Sequence, residues 1–193
     1  MINIHLASGS PRRQDILNQF NIAYSLTSHA FNEDTLNPKS FSTMPDYVKT
    51  LAKSKALSVK HIKKDWILAA DTIVVVNQTI LNKPASYEIA KAYLNTLSNT
   101  QHYVLSAFCM FNPETNVCFT RCAKATISFN LLSPNDIKTY VHEKKPLDKA
   151  GAYGLQEIPR HFVKSVTGSK YTVIGLPIHL LKTVIKHIHN NLL

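Results

Sequence analysis

The chain has 193 residues, of which 45% are hydrophobic and 18% are charged. This composition excludes an intrinsically disordered chain, and the length fits one large domain or two small interleaved lobes with a sizeable core. The formal charge of +10 predicts an anionic partner: nucleic acid, an anionic membrane or a small phosphate ester. Because the cations are dispersed along the chain, the charge does not choose among these partners.

The longest apolar runs are too short to cross a membrane, and residues 1–6 lack the features of a signal peptide. We therefore expect a cytoplasmic protein without a membrane partner. The three cysteines, Cys109, Cys118 and Cys122, then predict reduced thiols. The spacing of Cys118 and Cys122 allows a metal pair, but no second pair of ligands accompanies them, which favours buried, unreactive thiols.

The N-terminal residues predict a strand, a loop and a helix. An apolar run at residues 2–7 precedes S-G-S-P-R-R, in which Ser10 suits the N-cap and Pro11 the first helical position. Arg12 and Arg13 then fall in the first turn, where their charge opposes the helix dipole. An anion bound at this helix end removes the conflict, so the pattern predicts a phosphate site more than a solvated arginine pair.

Residues 27–44 are polar and predict an irregular segment that contains the acidic pair Glu33 and Asp34. A helix is predicted from Pro45, with apolar residues at helical spacing that extend through Val59. Lys55 falls on the apolar face of this helix. Two interpretations stay open for it: its ammonium group reaches solvent at the edge of the face, which is the common outcome, or it reaches an anion bound in a cleft.

The stretch W-I-L-A-A-D-T-I-V-V-V at residues 66–76 predicts a strand buried on both faces. Asp71 lies in its middle, and a carboxylate there requires a cation, a metal or hydrogen-bond donors. Asp71 alternatively ends the buried run and caps a turn. The apolar pattern continues beyond it through Val76, which favours a functional role.

The second half of the chain alternates predicted strands and helices. A turn delivers Lys83 before Pro84, a helix follows from about Ser86, and two long strands at residues 103–111 and 117–130 form a hairpin. His102 at the hairpin edge is interpreted as structural. The apolar positions assigned to the face of the helix are Ile89, Ala90, Tyr93, Leu94 and Leu97.

Ser133 and Pro134 begin another helix, which ends near Lys144. Pro177 opens a final amphipathic helix. Between these helices lie four of the five glycines, which indicate sharp turns or a close approach of the backbone to a ligand. They are Gly151, Gly154, Gly168 and Gly175.

The residues singled out by these patterns suit a polyphosphate substrate. Carboxylates bind Mg²⁺ or Mn²⁺, cations neutralise phosphate oxygens, and one carboxylate activates water. The sequence contains no standard nucleotide-binding loop. These residues therefore predict a metal-dependent hydrolase of a phosphate ester or anhydride and do not identify its substrate. The cations are Arg12, Arg13, Lys55, Lys83 and Lys149, and the carboxylates are Glu33 and Asp71.

Six stretches of the sequence resemble the Maf family of nucleoside triphosphate pyrophosphatases, in the family's order and over almost the whole chain. They are L-A-S-G-S-P-R-R at 6–13, L-A-K-S-K-A at 51–56, A-D-T-I-V-V at 70–75, N-K-P at 82–84, D-K-A-G-A-Y-G-L-Q at 148–156 and G-L-P at 175–177. The resemblance implies a single Maf-like domain over residues 1–193 and, since members of the family often form homodimers, a homodimer. It also implies an α/β fold with a mixed sheet, in two lobes around a deep cleft, similar to the inosine triphosphate pyrophosphatases.

The resemblance further implies cleavage of a nucleoside triphosphate to the monophosphate and pyrophosphate with Mg²⁺ or Mn²⁺. Asp71 matches the proton acceptor, and Glu33 and Asp71 match the metal site. The positions that match phosphate handling are Ser8, Arg13, Lys55, Lys83 and Lys149. The specificity positions are Arg12, Thr72 and Gln156.

The three specificity residues resemble the dTTP/UTP branch, which suggests a house-cleaning role in nucleotide metabolism with dTTP, UTP and modified pyrimidine triphosphates as candidate substrates. The 7-methyl-GTP branch tends to have Trp, Gln and Glu at these positions and is the alternative within the family. A non-enzymatic regulator that binds nucleic acid or a division partner is the alternative from another class. The paired carboxylates argue against such a regulator, and we expect no stable nucleic-acid complex. Asn82 replaces a glycine that is usual in the family, a departure that concerns loop geometry.

Overall fold

The computed structural model describes residues 2–191, which form seven strands, six α-helices and several short 3₁₀ turns. The strands are β1 (Ile4–Ala7), β2 (Ser25–Thr27), β3 (Trp66–Val76), β4 (Thr79–Leu81), β5 (Gln101–Asn112), β6 (Val117–Phe129) and β7 (Val163–Thr167). The helices are α1 (Pro11–Gln19), α2 (Met44–Leu57), α3 (Tyr87–Leu97), α4 (Pro134–Lys144), α5 (Lys170–Ile174) and α6 (Ile178–Asn191).

The strands form one mixed sheet in the order β2-β1-β3-β5-β6-β7, and β4 pairs with β3. Strand β1 runs parallel to β2 and to β3, whereas β4 is antiparallel to β3 and β7 is antiparallel to β6. The predicted α/β class with a mixed sheet is confirmed.

The chain divides into two compact units. Within the described range, the first unit comprises residues 2–71, 106–123 and 175–191, and the second comprises residues 72–105 and 124–174. Along the chain, one change of unit occurs inside β3, between Asp71 and Thr72. The strand that was predicted to be buried is therefore shared between the units.

The first unit is built on the early part of β3, which is buried from Trp66 to Asp71. Helix α2 begins one residue before the predicted Pro45, and Thr43 caps it by accepting a hydrogen bond from the Asp46 amide at 3.2 Å. Ser10 lies at the N-cap of α1 as predicted, but its side chain makes no capping hydrogen bond. The predicted apolar face of α2 is buried, at Val48, Leu51, Ala52 and Ala56.

The second unit has its own apolar core, in which α3, α4 and the later part of β3 supply many of the side chains. Helix α3 starts next to the predicted Ser86, which caps it by accepting a hydrogen bond from the Ile89 amide at 3.2 Å. The prediction that Ile89 lies on the inward face was wrong, because its side chain is 38% exposed at the edge of the apolar stripe. The buried face of α3 is Ala90, Leu94 and Leu97.

The sequence predictions missed β2, β4, β7 and α5. The segment before Lys83 was interpreted only as a turn, whereas Asn77 and Gln78 adopt positive φ and close a hairpin between β3 and β4. Strands β2, β4 and β7 have three, three and five residues, and α5 has five. Such short segments carry too few residues for a periodic pattern.

No helix within residues 2–191 is long and apolar enough to cross a membrane.

Candidate active site

Lys55 of α2 joins two carboxylates in the first unit. Its Nζ donates a hydrogen bond to Asp71 Oδ1 and lies 2.7 Å from Glu33 Oε1. Lys55 and Asp71 are 5% and 7% exposed, whereas the Glu33 side chain is 49% exposed at the start of a 3₁₀ turn. The first of the two interpretations of Lys55 was wrong, because its ammonium group lies against these two carboxylates and is not solvent-exposed.

Arg13 is held in a fixed orientation beside this group. Its Nη1 donates to Ser8 Oγ at 2.8 Å, and its Nε donates to the Gly175 carbonyl oxygen at 3.0 Å. The Ser8 side chain is buried and also accepts a hydrogen bond from the Ser10 amide at 3.3 Å. The loop before α1 and the start of the G-L-P stretch thus fix the guanidinium group together.

The burial of these charges shifts their titration. Removal from water raises the pKa of the Asp71 carboxyl, and the positive charges of Lys55 and then Arg13 oppose that rise. Burial lowers the pKa of the Arg13 guanidinium, and the Asp71 charge opposes that fall. A carboxylate with a raised pKa is a better proton acceptor than one in water, which suits Asp71 for general base chemistry.

The other predicted site residues differ in their exposure to solvent and in the compact unit to which they belong. Arg12 is half-buried in the first turn of α1, and Thr72 is half-buried in β3. Lys83 and Gln156 are exposed in the second unit. The structure therefore gathers Ser8, Arg13, Glu33, Lys55 and Asp71 in the first unit, while Thr72, Lys83, Lys149 and Gln156 belong to the second.

Lys149 is the buried cation of the second unit. Its Nζ lies 2.7 Å from Asp148 Oδ1 and 3.2 Å from Glu157 Oε2, and the residue is 7% exposed. Gly154 packs directly on its side chain, because a Cβ at Gly154 would lie 3.1 Å from Lys149 Cε. This close approach gives a physical reason for one of the clustered glycines.

His102 is buried in the second unit, as a structural role requires. Its Nε2 lies 2.8 Å from the Tyr153 hydroxyl oxygen, and its ring packs edge-on against Phe129. Burial lowers the pKa of His102 to about 4, so the ring is neutral at physiological pH.

Within residues 2–191, no group of three or more His, Cys, Asp or Glu side chains is arranged to hold a metal. Cys118 Sγ lies 3.0 Å from Cys109 Sγ, and Cys122 Sγ contacts the Ala123 carbonyl oxygen at 3.8 Å.

Sequence reasoning missed several polar partners of the site. Glu157 and Asp148 pair with Lys149, and the Ser106 hydroxyl donates to the Asp71 carbonyl oxygen at 3.4 Å. Asp148 and Glu157 border the Gly-rich stretch, so their positions in the sequence were an available signal. A main-chain acceptor such as the Gly175 carbonyl has no signature in the sequence.

The family model described as Maf-like protein matches residues 3–188 of the chain. The chain belongs to the Maf-like family. Among its relatives, a Clostridium perfringens (strain SM101 / Type A) protein is 37% identical over 182 residues, which cover 93% of this chain and 94% of the relative. A Shewanella frigidimarina (strain NCIMB 400) protein is 40% identical, over 94% of this chain and 97% of the relative. Both relatives are named dTTP/UTP pyrophosphatase, as is a Bacillus cereus (strain G9842) protein at 38% identity.

Proposed function

We propose that this Maf-like protein hydrolyses dTTP and UTP to the nucleoside monophosphate and pyrophosphate. The observation that carries the proposal is the charged group in which Lys55 bridges the half-exposed Glu33 and the buried Asp71 next to Arg13. The name dTTP/UTP pyrophosphatase of relatives that align over more than nine-tenths of the chain supports the substrate.

In this proposal, Asp71 is the catalytic base. It takes a proton from a water molecule as the water oxygen attacks phosphorus, and the anhydride bond between the α- and β-phosphates breaks. Pyrophosphate leaves with the bridging oxygen. Burial favours this role because it raises the pKa of Asp71 and strengthens its affinity for the proton.

The cations of the first unit bind phosphate oxygens and neutralise the charge that develops on them. Arg13 is preorganised for this task, because Ser8 and the Gly175 carbonyl hold its guanidinium group before any ligand arrives. Lys55 supplies a second cation from the rigid helix α2. In the second unit, we assign phosphate contacts to Lys83 and Lys149 and base selection to Thr72 and Gln156, together with Arg12 of the first unit.

The carboxylates of Glu33 and Asp71 fit a divalent metal that binds together with the substrate. Both offer oxygen ligands, and Mg²⁺ commonly binds through one or two carboxylates, with substrate phosphates and water completing the shell. The same pair, without a third protein ligand in the described residues, does not fit a permanent all-protein site. When bound, Mg²⁺ or Mn²⁺ would neutralise phosphate charge.

The test is pyrophosphate release from dTTP, UTP, CTP and 7-methyl-GTP, with Mg²⁺ or Mn²⁺, by wild type, Asp71→Asn and Asp15→Asn. Asp15 is exposed on α1 and serves as the matched control. We expect dTTP and UTP to be the best substrates, with a loss of about 10²- to 10⁴-fold in Asp71→Asn only. A preference for 7-methyl-GTP would overturn the base assignment, and a folded wild type without activity would favour the binding regulator.

A further inference from the structure

Two of the three cysteines lie side by side in the first unit, and the proposed hydrolysis uses neither. Cys109 of β5 and Cys118 of β6 have their Sγ atoms 3.0 Å apart. Both are free thiols. A disulfide requires a separation of about 2.05 Å, so a shift of about 1 Å would bring the two sulfur atoms to bonding distance.

The two thiols differ in their access to solvent. Cys109 is completely buried, whereas Cys118 is half-buried near the start of β6. Thr120 Oγ1 lies 3.6 Å from Cys118 Sγ and adds a second polar neighbour. The pair therefore combines a partly exposed cysteine with a fully buried one whose sulfur atom lies next to its own.

We propose that Cys109 and Cys118 form an oxidation site, which a peroxide converts to an intrachain disulfide and a thiol reductant restores. Cys118 sulfur attacks one peroxide oxygen, the O–O bond breaks, and the second oxygen leaves as water after protonation. Cys109 sulfur then attacks the resulting sulfenic acid, the S–S bond forms, and the hydroxyl group leaves as water with the Cys109 proton. The two thiols lose two electrons in total, and the peroxide gains them.

The electrostatic environment agrees with this division of roles. The hydrogen bond from the Cys109 thiol, together with Thr120 and the charge of Lys53, lowers the pKa of Cys118 to about 6, against the effect of burial. The same contact and burial raise the pKa of Cys109, so the proton stays on the sheltered sulfur. Burial raises the pKa of Cys122 to about 11, which makes it an unreactive control within the same chain.

The test treats wild-type protein with hydrogen peroxide at neutral pH and counts free thiols after unfolding. We expect the count to fall from three to one, the intact mass to fall by two hydrogen atoms, and dithiothreitol to reverse both changes. Peptide mapping should join Cys109 to Cys118. The control Cys122→Ser should behave in the same way and lose both of its remaining thiols.

The variant Cys118→Ser should keep both remaining thiols at the same peroxide dose. Three intact thiols in treated wild type would overturn the proposal. A disulfide between two chains, or sulfinic acid at Cys118 with Cys109 still free, would also overturn it. Because the mapping uses wild-type protein, the result does not depend on whether a variant folds.

Discussion

Replacement of Lys55 by methionine tests the buried charge group most directly, because it removes the cation and keeps the apolar stem. Removal of one partner from a buried ion pair costs about 3–5 kcal/mol. The cost here falls toward the lower end, since the Glu33 side chain is 49% exposed and water can solvate its charge again. We expect the free energy of unfolding to fall by about 3 kcal/mol, or about 6–12 °C in Tm for a chain of this size.

The loss should depend on pH, with a sign set by Asp71. Burial already raises the pKa of Asp71, and Lys55 is the main charge that opposes the rise, so the variant has a still higher pKa. When a carboxyl group has a higher pKa in the folded chain than in the unfolded chain, the free energy of unfolding falls as pH rises from the unfolded pKa through the folded pKa. Lys55→Met should therefore be less stable at about pH 8 than at about pH 5.

The assay is urea unfolding of wild type, Lys55→Met and Lys53→Met at both pH values. Lys53 is exposed on the same helix, so its variant should match wild type. The double variant Lys55→Met/Asp71→Asn should be more stable than Lys55→Met, because the buried carboxylate that Lys55 neutralised is then uncharged. Equal stability of Lys55→Met and Lys53→Met, or a deficit that grows toward acid pH, would refute the reasoning.

Other substitutions and conditions test separate parts of the molecule. Arg12→Ala should raise KM for dTTP about tenfold or change base preference, as expected for a lost contact to a charged group, more than it destabilises the fold; a lost thermal transition would contradict this. Gly151→Ala should lower the free energy of unfolding by about 1–3 kcal/mol, because Gly151 has φ +67° and a Cβ would lie 2.9 Å from a Val74 methyl group. Gly9→Ala, with open space around it, should be neutral in the same melting experiment. The acid limb of kcat/KM should lie above the ordinary carboxyl pKa of 3.8, because Asp71 must be ionised to accept a proton; a limb at or below that value would argue against Asp71 as the base.

The longest and most strongly patterned elements were the most predictable from sequence. The aliphatic run of β3, the cap Ser133, the start of α3 near Ser86 and the apolar face of α2 each carry their own local signal. Lys55 stood out because it interrupts that apolar face. Such signals depend only on residues close together in the chain.

Contacts between distant parts of the chain were not predictable in this way. The approach of Cys109 to Cys118 depends on how two strands align. The sequence analysis considered only the spacing of Cys118 and Cys122, which are close together in the chain. The bond from Arg13 to the Gly175 carbonyl spans 162 positions and ends on a main-chain atom that every residue type supplies. The roles of all the predicted site residues stay predictions, and those of Thr72 and Gln156 rest on the resemblance to the family alone.

The bridge formed by Lys55 has a consequence for competition by simple salts. In the first unit, the cations Lys55 and Arg13 are balanced by the carboxylates Glu33 and Asp71, so the positive field of the protein arises elsewhere on its surface. A sulfate or chloride ion that binds the Lys55 ammonium group displaces two carboxylates from it and leaves them without this counter-ion. A polyphosphate that carries its own divalent cation satisfies the lysine and the carboxylates together. The site should therefore tolerate high concentrations of monovalent salt and free inorganic anions far better than an open cluster of arginines would.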